Sequence, residues 1–347
     1  MKIADREIGP DFPPFIIAEM SGNHNSSLDR AMEIVEVAAR SGAHAIKLQT
    51  YTADTMTIDV RRDEFLISDP NSLWAGRNLY DLYREAQTPW DWHKPLFQRA
   101  RELGMIPLST PFDDTAVDFL ETLGAPCYKV ASFENTDLAL IHKVAATGKP
   151  LIISTGMASI AELDASVRAA RAAGARDIIL LKCTSAYPAT AKFANLATLP
   201  HMRQLFACEV GLSDHTMGIG VSIASVVLGA TVIEKHFTLC REDGGVDAAF
   251  SLEPHEMASL VAESRCAWEA VGTIKYGASA DDEKSMIFRR SLYIVEDVKA
   301  GDVLTAQNVR AIRPGLGLPP SEMRRILGHK IICDAKRGTA LRWELVR

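Results

Sequence analysis

Apolar residues along this chain come in short runs, each followed by a polar step and then by a longer stretch with apolar spacing of three and four. The short runs predict strands and the longer stretches predict helices. Two consecutive units are the most informative. Residues 206–210 and 230–233 read as strands. The first is followed by Gly211-Leu212-Ser213-Asp214-His215-Thr216, the second by Glu234-Lys235-His236-Phe237-Thr238. Between them Ile219, Val221, Ile223, Ala224, Val226, Val227 and Leu228 predict a buried helix within 217–229. A histidine therefore stands just past the end of each strand.

The same alternation fills the first 270 residues. Strands are predicted at 14–19, 43–49, 105–109, 126–131, 150–153 and 177–181, and glycines such as Gly42, Gly104, Gly124, Gly148 and Gly174 close the helices between them. Thr88-Pro89-Trp90 predicts a helix start, with Thr88 as N-cap and Pro89 at the first position. Residues 51–87 break the rhythm and read as a long loop over the barrel mouth, with a turn at Asp69-Pro70-Asn71-Ser72 and a short helix through Leu79, Leu82, Tyr83 and Ala86. Strands that regularly alternate with helices predict an α/β fold, a (β/α)8 TIM barrel. A doubly wound sheet is the alternative.

From about Ser285 the pattern changes to short strands, at 288–295, near 299–304, at 330–333 and at 339–343, with a short helix at 322–326 and a stiff extended loop at 313–320. The expected division is a barrel domain at 1–272, a linker at 273–284 and a small β-rich domain at 285–347.

Composition removes several function classes. The net charge is −6 with no long run of one sign, which gives no basic face for nucleic acid. No apolar run approaches a membrane span, and the first residues lack the apolar core of a secretory signal. The six cysteines are scattered without a CxxC, the usage expected of a reduced, cytoplasmic protein.

The candidate chemistry gathers at the strand ends: Glu19, Lys47, Ser109-Thr110, Lys129 with Ser132, Ser154, Ser185, Ser213 with His215, and Glu234 with His236. In a parallel barrel these all face one mouth. Two neutral imidazoles from adjacent strands make half of a divalent metal site. Two lysines among hydroxyls suit a phosphate plus a carboxylate, and a metal suits a carbonyl oxygen. Each residue also has a plainer reading: lysines that snorkel to the rim, serines that cap helices, Glu19 paired with Lys47, histidines that are merely hydrogen-bonded.

Taken together the motifs resemble the sialic acid (nonulosonic acid) synthases. The matching strings are Ala18-Glu19 with Asn23-His24, Ile46-Lys47-Leu48-Gln49-Thr50, Ser109-Thr110-Pro111-Phe112, Tyr128-Lys129-Val130-Ala131-Ser132, Ser154-Thr155-Gly156-Met157 and the two histidine motifs. Phe288-Arg289-Arg290-Ser291 and Arg313-Pro314-Gly315 are similar to that family's antifreeze-like (SAF, β-clip) domain. The resemblance implies a transferase that condenses phosphoenolpyruvate with an amino-sugar aldehyde and releases phosphate. It implies Mn²⁺ or Mg²⁺ on His215 and His236, and Lys47, Lys129, Ser132, Ser154, Ser185 and Ser213 around phosphoenolpyruvate, with Thr110 in the same substrate-binding set. Glu19 matches a carboxylate near the metal and the reacting water, and Glu134 a second one nearby. Tyr187 and Asp247 would contact the sugar, and Arg313 would reach the other subunit's site in a domain-swapped homodimer. One departure is Thr184-Ser185, where many family members have Thr-Asn.

Two stretches, 79–90 and 243–251, look like those of members that make pseudaminic acid from a 6-deoxy-2,4-diacetamido-altrose. Phe250 then suits the sugar's methyl group. N-acetylneuraminate or legionaminate synthesis, a metal-dependent aldolase and a sugar-binding protein without catalysis are the alternatives.

Overall fold

The computed structural model describes residues Met1–Arg347 and divides into two compact units, Met1–Gly272 and Thr273–Arg347. The first is a closed barrel of eight parallel strands: β1 Phe15–Glu19, β2 Ala45–Thr50, β3 Ile106–Pro111, β4 Tyr128–Val130, β5 Leu151–Ser154, β6 Ile178–Cys183, β7 Glu209–Asp214 and β8 Val232–His236. Neighbours in sequence are neighbours in the ring, and β8 closes it by pairing with β1. The main helices are α1 Leu28–Arg40, α2 Trp90–Glu102, α3 Asp114–Thr122, α4 Leu138–Ala145, α5 Ile160–Ala172, α6 Thr198–Phe206, α7 Gly220–Val227 and α8 Pro254–Val271.

Strand alternation sorts the core into two parts. Ile16, Ala18, Ile46, Leu48, Val130, Leu151 and Ile153 share one cluster with residues of the surrounding helices, such as Ile34, Phe97 and Ile141. Phe15, Ile17, Ala45, Leu108, Cys127, Ile152, Leu181 and Val232 fill the barrel interior. Ile3 and Ile8 join the interior cluster from the short N-terminal hairpin, Lys2–Ile3 with Arg6–Glu7. That end of the barrel is therefore filled with hydrocarbon. Gly211 of β7 has a steric reason: a Cβ there would lie 2.2 Å from the Val232 carbonyl and 2.7 Å from the Leu181 side chain.

Several boundaries differ from the sequence reading. The apolar run at 206–210 joins two elements, because Phe206 ends α6 and Ala207, at φ +47°, turns the chain before β7. β8 reaches His236, which is the last strand residue rather than one past the end. The helix between them buries Ser222, Ser225 and Val226, whereas Val227 is 58% exposed. Helix α2 has Pro89 at its N-cap position without a side-chain cap, and Thr88 instead contacts His24 Nε2 at 3.3 Å. The excursion at 51–87 holds helices at Ala53–Met56 and Leu79–Ala86.

The second unit packs Leu292, Ile294, Val298, Leu304, Val309, Ile326, Ile331 and Leu341 around one antiparallel pair, β9 Ser291–Ile294 with β10 Val309–Ile312. The strands expected at 330–333 and 339–343 are only single bridges, such as Ile331 to Val346 and Tyr293 to Ala340. Strand β10 escaped the sequence reading because Arg310 interrupts a short apolar run.

Candidate active site

The polar site grows out of the interior core by one step of strand alternation. Two residues beyond Ile17, Ala45, Leu108, Cys127, Ile152, Leu181 and Val232 stand Glu19, Lys47, Thr110, Lys129, Ser154, Cys183 and Glu234. All seven are buried. The barrel thus changes from hydrocarbon to a charged layer at its C-terminal end.

Glu234 lies at the centre of that layer. Its Oε1 is 3.5 Å from Lys47 Nζ, 3.9 Å from Lys129 Nζ and 3.3 Å from the Ser213 hydroxyl that donates to it. Lys47 Nζ is also 2.5 Å from Glu19 Oε2 and donates to Thr110 Oγ1 at 3.0 Å. Gln49 Nε2 donates to Glu19 Oε1 at 3.1 Å. Burial pushes the Glu19 carboxyl up to about 7, against the pull of Lys47. Burial also pushes Glu234 up, but Lys129 and Lys47 outweigh it and hold that carboxyl low. Burial lowers Lys129, with Glu234 opposing, while Glu19 and Glu234 overcome burial to hold Lys47 high.

Lys129 is the less compensated cation. Its hydrogen bond is to the Val130 carbonyl at 3.2 Å, and Glu234 stands 3.9 Å away. Nearby strand ends carry buried hydroxyls with no partner, those of Ser132 and Ser154. Gly156 lets their loops close: at φ +28°, its Cβ would sit 2.4 Å from Ser132 Cβ and 2.8 Å from Ser185 Oγ. Glu134 follows Ser132 on the same short turn, and burial pushes its carboxyl up to about 7.

The two imidazoles stand with centroids 5.3 Å apart. His215 Nδ1 donates to the Thr184 carbonyl at 3.0 Å, which leaves Nε2 as the free nitrogen. His236 Nδ1 has no hydrogen-bond partner and lies 3.7 Å from Asp247 Oδ2, a carboxylate that accepts the Ser21 hydroxyl. Burial, then His215, holds His236 far below the ordinary imidazole range. His215 Nε2 and His236 Nδ1, two nitrogens of adjacent imidazoles left without a hydrogen-bond partner, supply half of a donor set that fits a divalent cation. The trio whose ligand atoms all lie within 4.8 Å of one another is elsewhere, Glu253, His255 and Glu256. There Glu253 and Glu256 form the capping box of α8, and Arg241 pairs with both.

Aromatic rings wall the histidine side. Tyr187 lies 4.6 Å from His215, and Phe250 lies 4.8 Å from His236 and 5.3 Å from Tyr187, centroid to centroid. Phe250 is buried against both imidazoles. Trp74, from the excursion, packs 5.7 Å from Tyr187, and its indole N–H donates to the Val246 carbonyl at 2.9 Å. Of the candidate site residues, Arg313 alone lies in the second unit, exposed just beyond β10.

A family model described as the NeuB family matches residues 34–276, and one for the SAF domain matches 289–347. The chain belongs to the NeuB family. Its two parts are a TIM barrel and a C-terminal SAF domain. Among curated relatives of this NeuB-family chain, a pseudaminic acid synthase from Helicobacter pylori is 42% identical over 95% of this chain and 96% of the relative. An N,N'-diacetyllegionaminic acid synthase from Legionella pneumophila is 35% identical over 97% of this chain and 95% of the relative. Among solved structures, an N-acetylneuraminic acid synthetase from Leptospira borgpetersenii in complex with citrate has a TM-score of 0.73 at 29% identity, covering 82% of this chain and 94% of that one.

Sequence reasoning undervalued Glu234, although it stands two residues before His236 on the same strand face. Gln49 on Glu19 was legible by the same count. Trp74 was not, since nothing local in 51–87 tells which side chain turns toward residue 246.

Proposed function

We propose that this chain condenses phosphoenolpyruvate with 2,4-diacetamido-2,4,6-trideoxy-L-altrose and releases pseudaminic acid and phosphate. The observation that carries this is Lys129, a buried and under-compensated ammonium near unpartnered hydroxyls, on the same mouth as a pair of imidazoles. A buried cation of this kind calls for an anion. Phosphoenolpyruvate brings two anionic groups, and Lys47, Lys129, Thr110, Ser132, Ser154, Ser185 and Ser213 would hold them. The resemblance to pseudaminic acid synthases over nearly the whole chain supports the choice of sugar.

The chemistry joins C3 of phosphoenolpyruvate to the aldehyde carbon, adds water at C2 and breaks the C2–O bond to phosphate. Lys129 and Lys47 hold the phosphate and carboxylate charges through these changes. Glu19 and Glu134, both titrating at about 7, take the proton that the attacking water loses and return one to oxygen. Mn²⁺ or Mg²⁺, held by His215 and His236, would supply polarisation of the sugar's carbonyl oxygen. Asp247, 3.7 Å from His236 Nδ1, would orient that imidazole or meet a sugar hydroxyl. Tyr187 and Phe250 give an apolar wall that suits a 6-deoxy sugar's methyl group. Arg313 would complete the site of a second copy in a domain-swapped homodimer, and the enzyme would work in the cytoplasm.

The test is phosphate release from phosphoenolpyruvate with Mn²⁺, comparing this sugar with N-acetylmannosamine. Release with the 6-deoxy sugar alone is expected. Release with N-acetylmannosamine alone would overturn the substrate, and release with neither, beside a working synthase, would overturn the reaction.

A further inference from the structure

Asp214 and Lys235 face each other across the β7–β8 register. Each immediately precedes one of the two histidines. Alternation turns this pair outward, because their neighbours Ser213 and Glu234 meet inside the mouth. The outward side is dry: Lys235 is 0% and Asp214 is 3% exposed. Lys235 Nζ donates to Asp214 Oδ2 at 3.0 Å and also to the Thr216 carbonyl. Asp214 Oδ2 accepts the Ser222 hydroxyl of α7 at 2.7 Å, and Asp214 Oδ1 accepts the Thr216 N–H at 2.8 Å.

Both backbone polar groups of Thr216 are therefore held by the pair. The three-residue segment that carries His215 is fixed at both ends, and it is fixed to the strand that carries His236. Stability gives a weak reason for such an arrangement, since apolar side chains of similar volume often replace a buried ion pair without loss. What an apolar pair lacks is directional hold on the Thr216 peptide groups.

We infer that Asp214 and Lys235 are positioning residues for metal binding, a clamp that sets His215 and His236 at a fixed spacing from outside the barrel wall. This rests on the metal reading above. A cation that meets imidazoles already in place binds without first ordering the loop at 214–216. A loosened clamp would weaken metal binding while leaving the phosphoenolpyruvate lysines, Lys47 on β2 and Lys129 on β4, as they were.

The experiment is calorimetric titration of Mn²⁺ into the metal-free full chain, beside its melting temperature, its KM for phosphoenolpyruvate and the Mn²⁺ concentration that half-saturates phosphate release. The variants are Lys235→Met, Asp214→Asn/Lys235→Met and Ser222→Ala. Lys235→Met strands a buried carboxylate and is expected to melt early. The double variant removes both charges and is expected to regain the melting temperature yet bind Mn²⁺ about 10- to 100-fold more weakly. Its KM for phosphoenolpyruvate is expected to stay within about twofold. A folded double variant with wild-type Mn²⁺ affinity, or one losing both affinities in proportion, overturns the clamp. Should the double variant not fold, Ser222→Ala decides, because it keeps both charges: weaker Mn²⁺ binding supports the clamp and unchanged binding overturns it. A wild-type chain with no Mn²⁺ heat, or a His215→Ala chain with the wild-type heat, overturns the metal reading itself. Phosphate release from the wild type separates that failure from failure of the reaction.

Discussion

The Glu234 carboxylate stands 3.5 Å from the Lys47 ammonium, and its other near cation, Lys129, is 3.9 Å away. One buried carboxylate is thus shared between two buried ammoniums. Glu234→Gln leaves the two cations facing each other and is expected to lower unfolding free energy by about 3–5 kcal/mol. Urea denaturation measures this, and millimolar inorganic phosphate should restore part of the loss. A loss that phosphate leaves untouched would argue that no anion sits between the lysines.

Lys129→Met should separate stability from function. Lys47 still stands 3.5 Å from Glu234 when Lys129 is gone, so the removal is expected to lower the melting temperature much less than Glu234→Gln does. A charge-assisted hydrogen bond to substrate would be lost, which raises the KM for phosphoenolpyruvate by about 10- to 100-fold. Steady-state kinetics and a thermal melt on one preparation check both halves.

Glu134 gives a pH prediction. Burial raises its carboxyl to about 7, so the ionised form that accepts a proton grows as pH rises through 7. The rate of phosphate release is expected to climb on the acid side with a midpoint near that value. Glu134→Gln should flatten this limb as well as slow the reaction. An unchanged midpoint in the variant would assign the limb to another group.

Three structural histidines predict acid lability. His44 Nδ1 accepts the Ile16 N–H at 2.9 Å and His24 Nδ1 accepts the Ser26 N–H at 3.1 Å. Burial lowers His44 to about 3, and His24 and His93 to about 4. Below about 6.5 the unfolded chain takes up protons that the folded chain refuses, so stability falls with pH across the window from 6.5 toward 4. Each such histidine contributes up to about 1.4 kcal/mol per pH unit. Urea melts at stepped pH test this, and His44→Asn should reduce the slope.

Trp74 should act on the sugar alone. Its indole pins residue 246, next to Asp247, and packs on Tyr187. Trp74→Phe keeps the ring and loses the N–H bond. The expected result is a higher KM for the sugar aldehyde and an unchanged KM for phosphoenolpyruvate. Equal rises in both would place Trp74 in general folding of the excursion.

The barrel was legible because each strand repeats the same local grammar: apolar alternation, a polar end, then a helix. Most mouth residues followed by counting in twos, from Ile17 to Glu19 or from Val232 to Glu234 to His236. Contacts between distant loops did not follow. Ser21 on Asp247 and Asn23 on the Phe237 carbonyl join residues more than 200 positions apart, and no periodicity encodes them. Element ends were also read early, as at 206–210, because helix and strand both contribute apolar residues to one core. The outward pair Asp214 and Lys235 was visible as part of two motifs, yet only cross-strand register gave it a role.

The ring is sealed by its first and last strands, and that order has a consequence for the growing chain. Glu19 pairs in register with His236, the earliest acid of the mouth beside the latest ligand candidate. A nascent chain emerging from the ribosome carries Glu19 long before it carries Glu234. The charged layer is therefore incomplete through most of synthesis, with Lys47 and Lys129 present and their shared counter-ion not yet made. Those two ammoniums gain their shared carboxylate only when the last strand arrives, so closing the ring and neutralising the layer are one event.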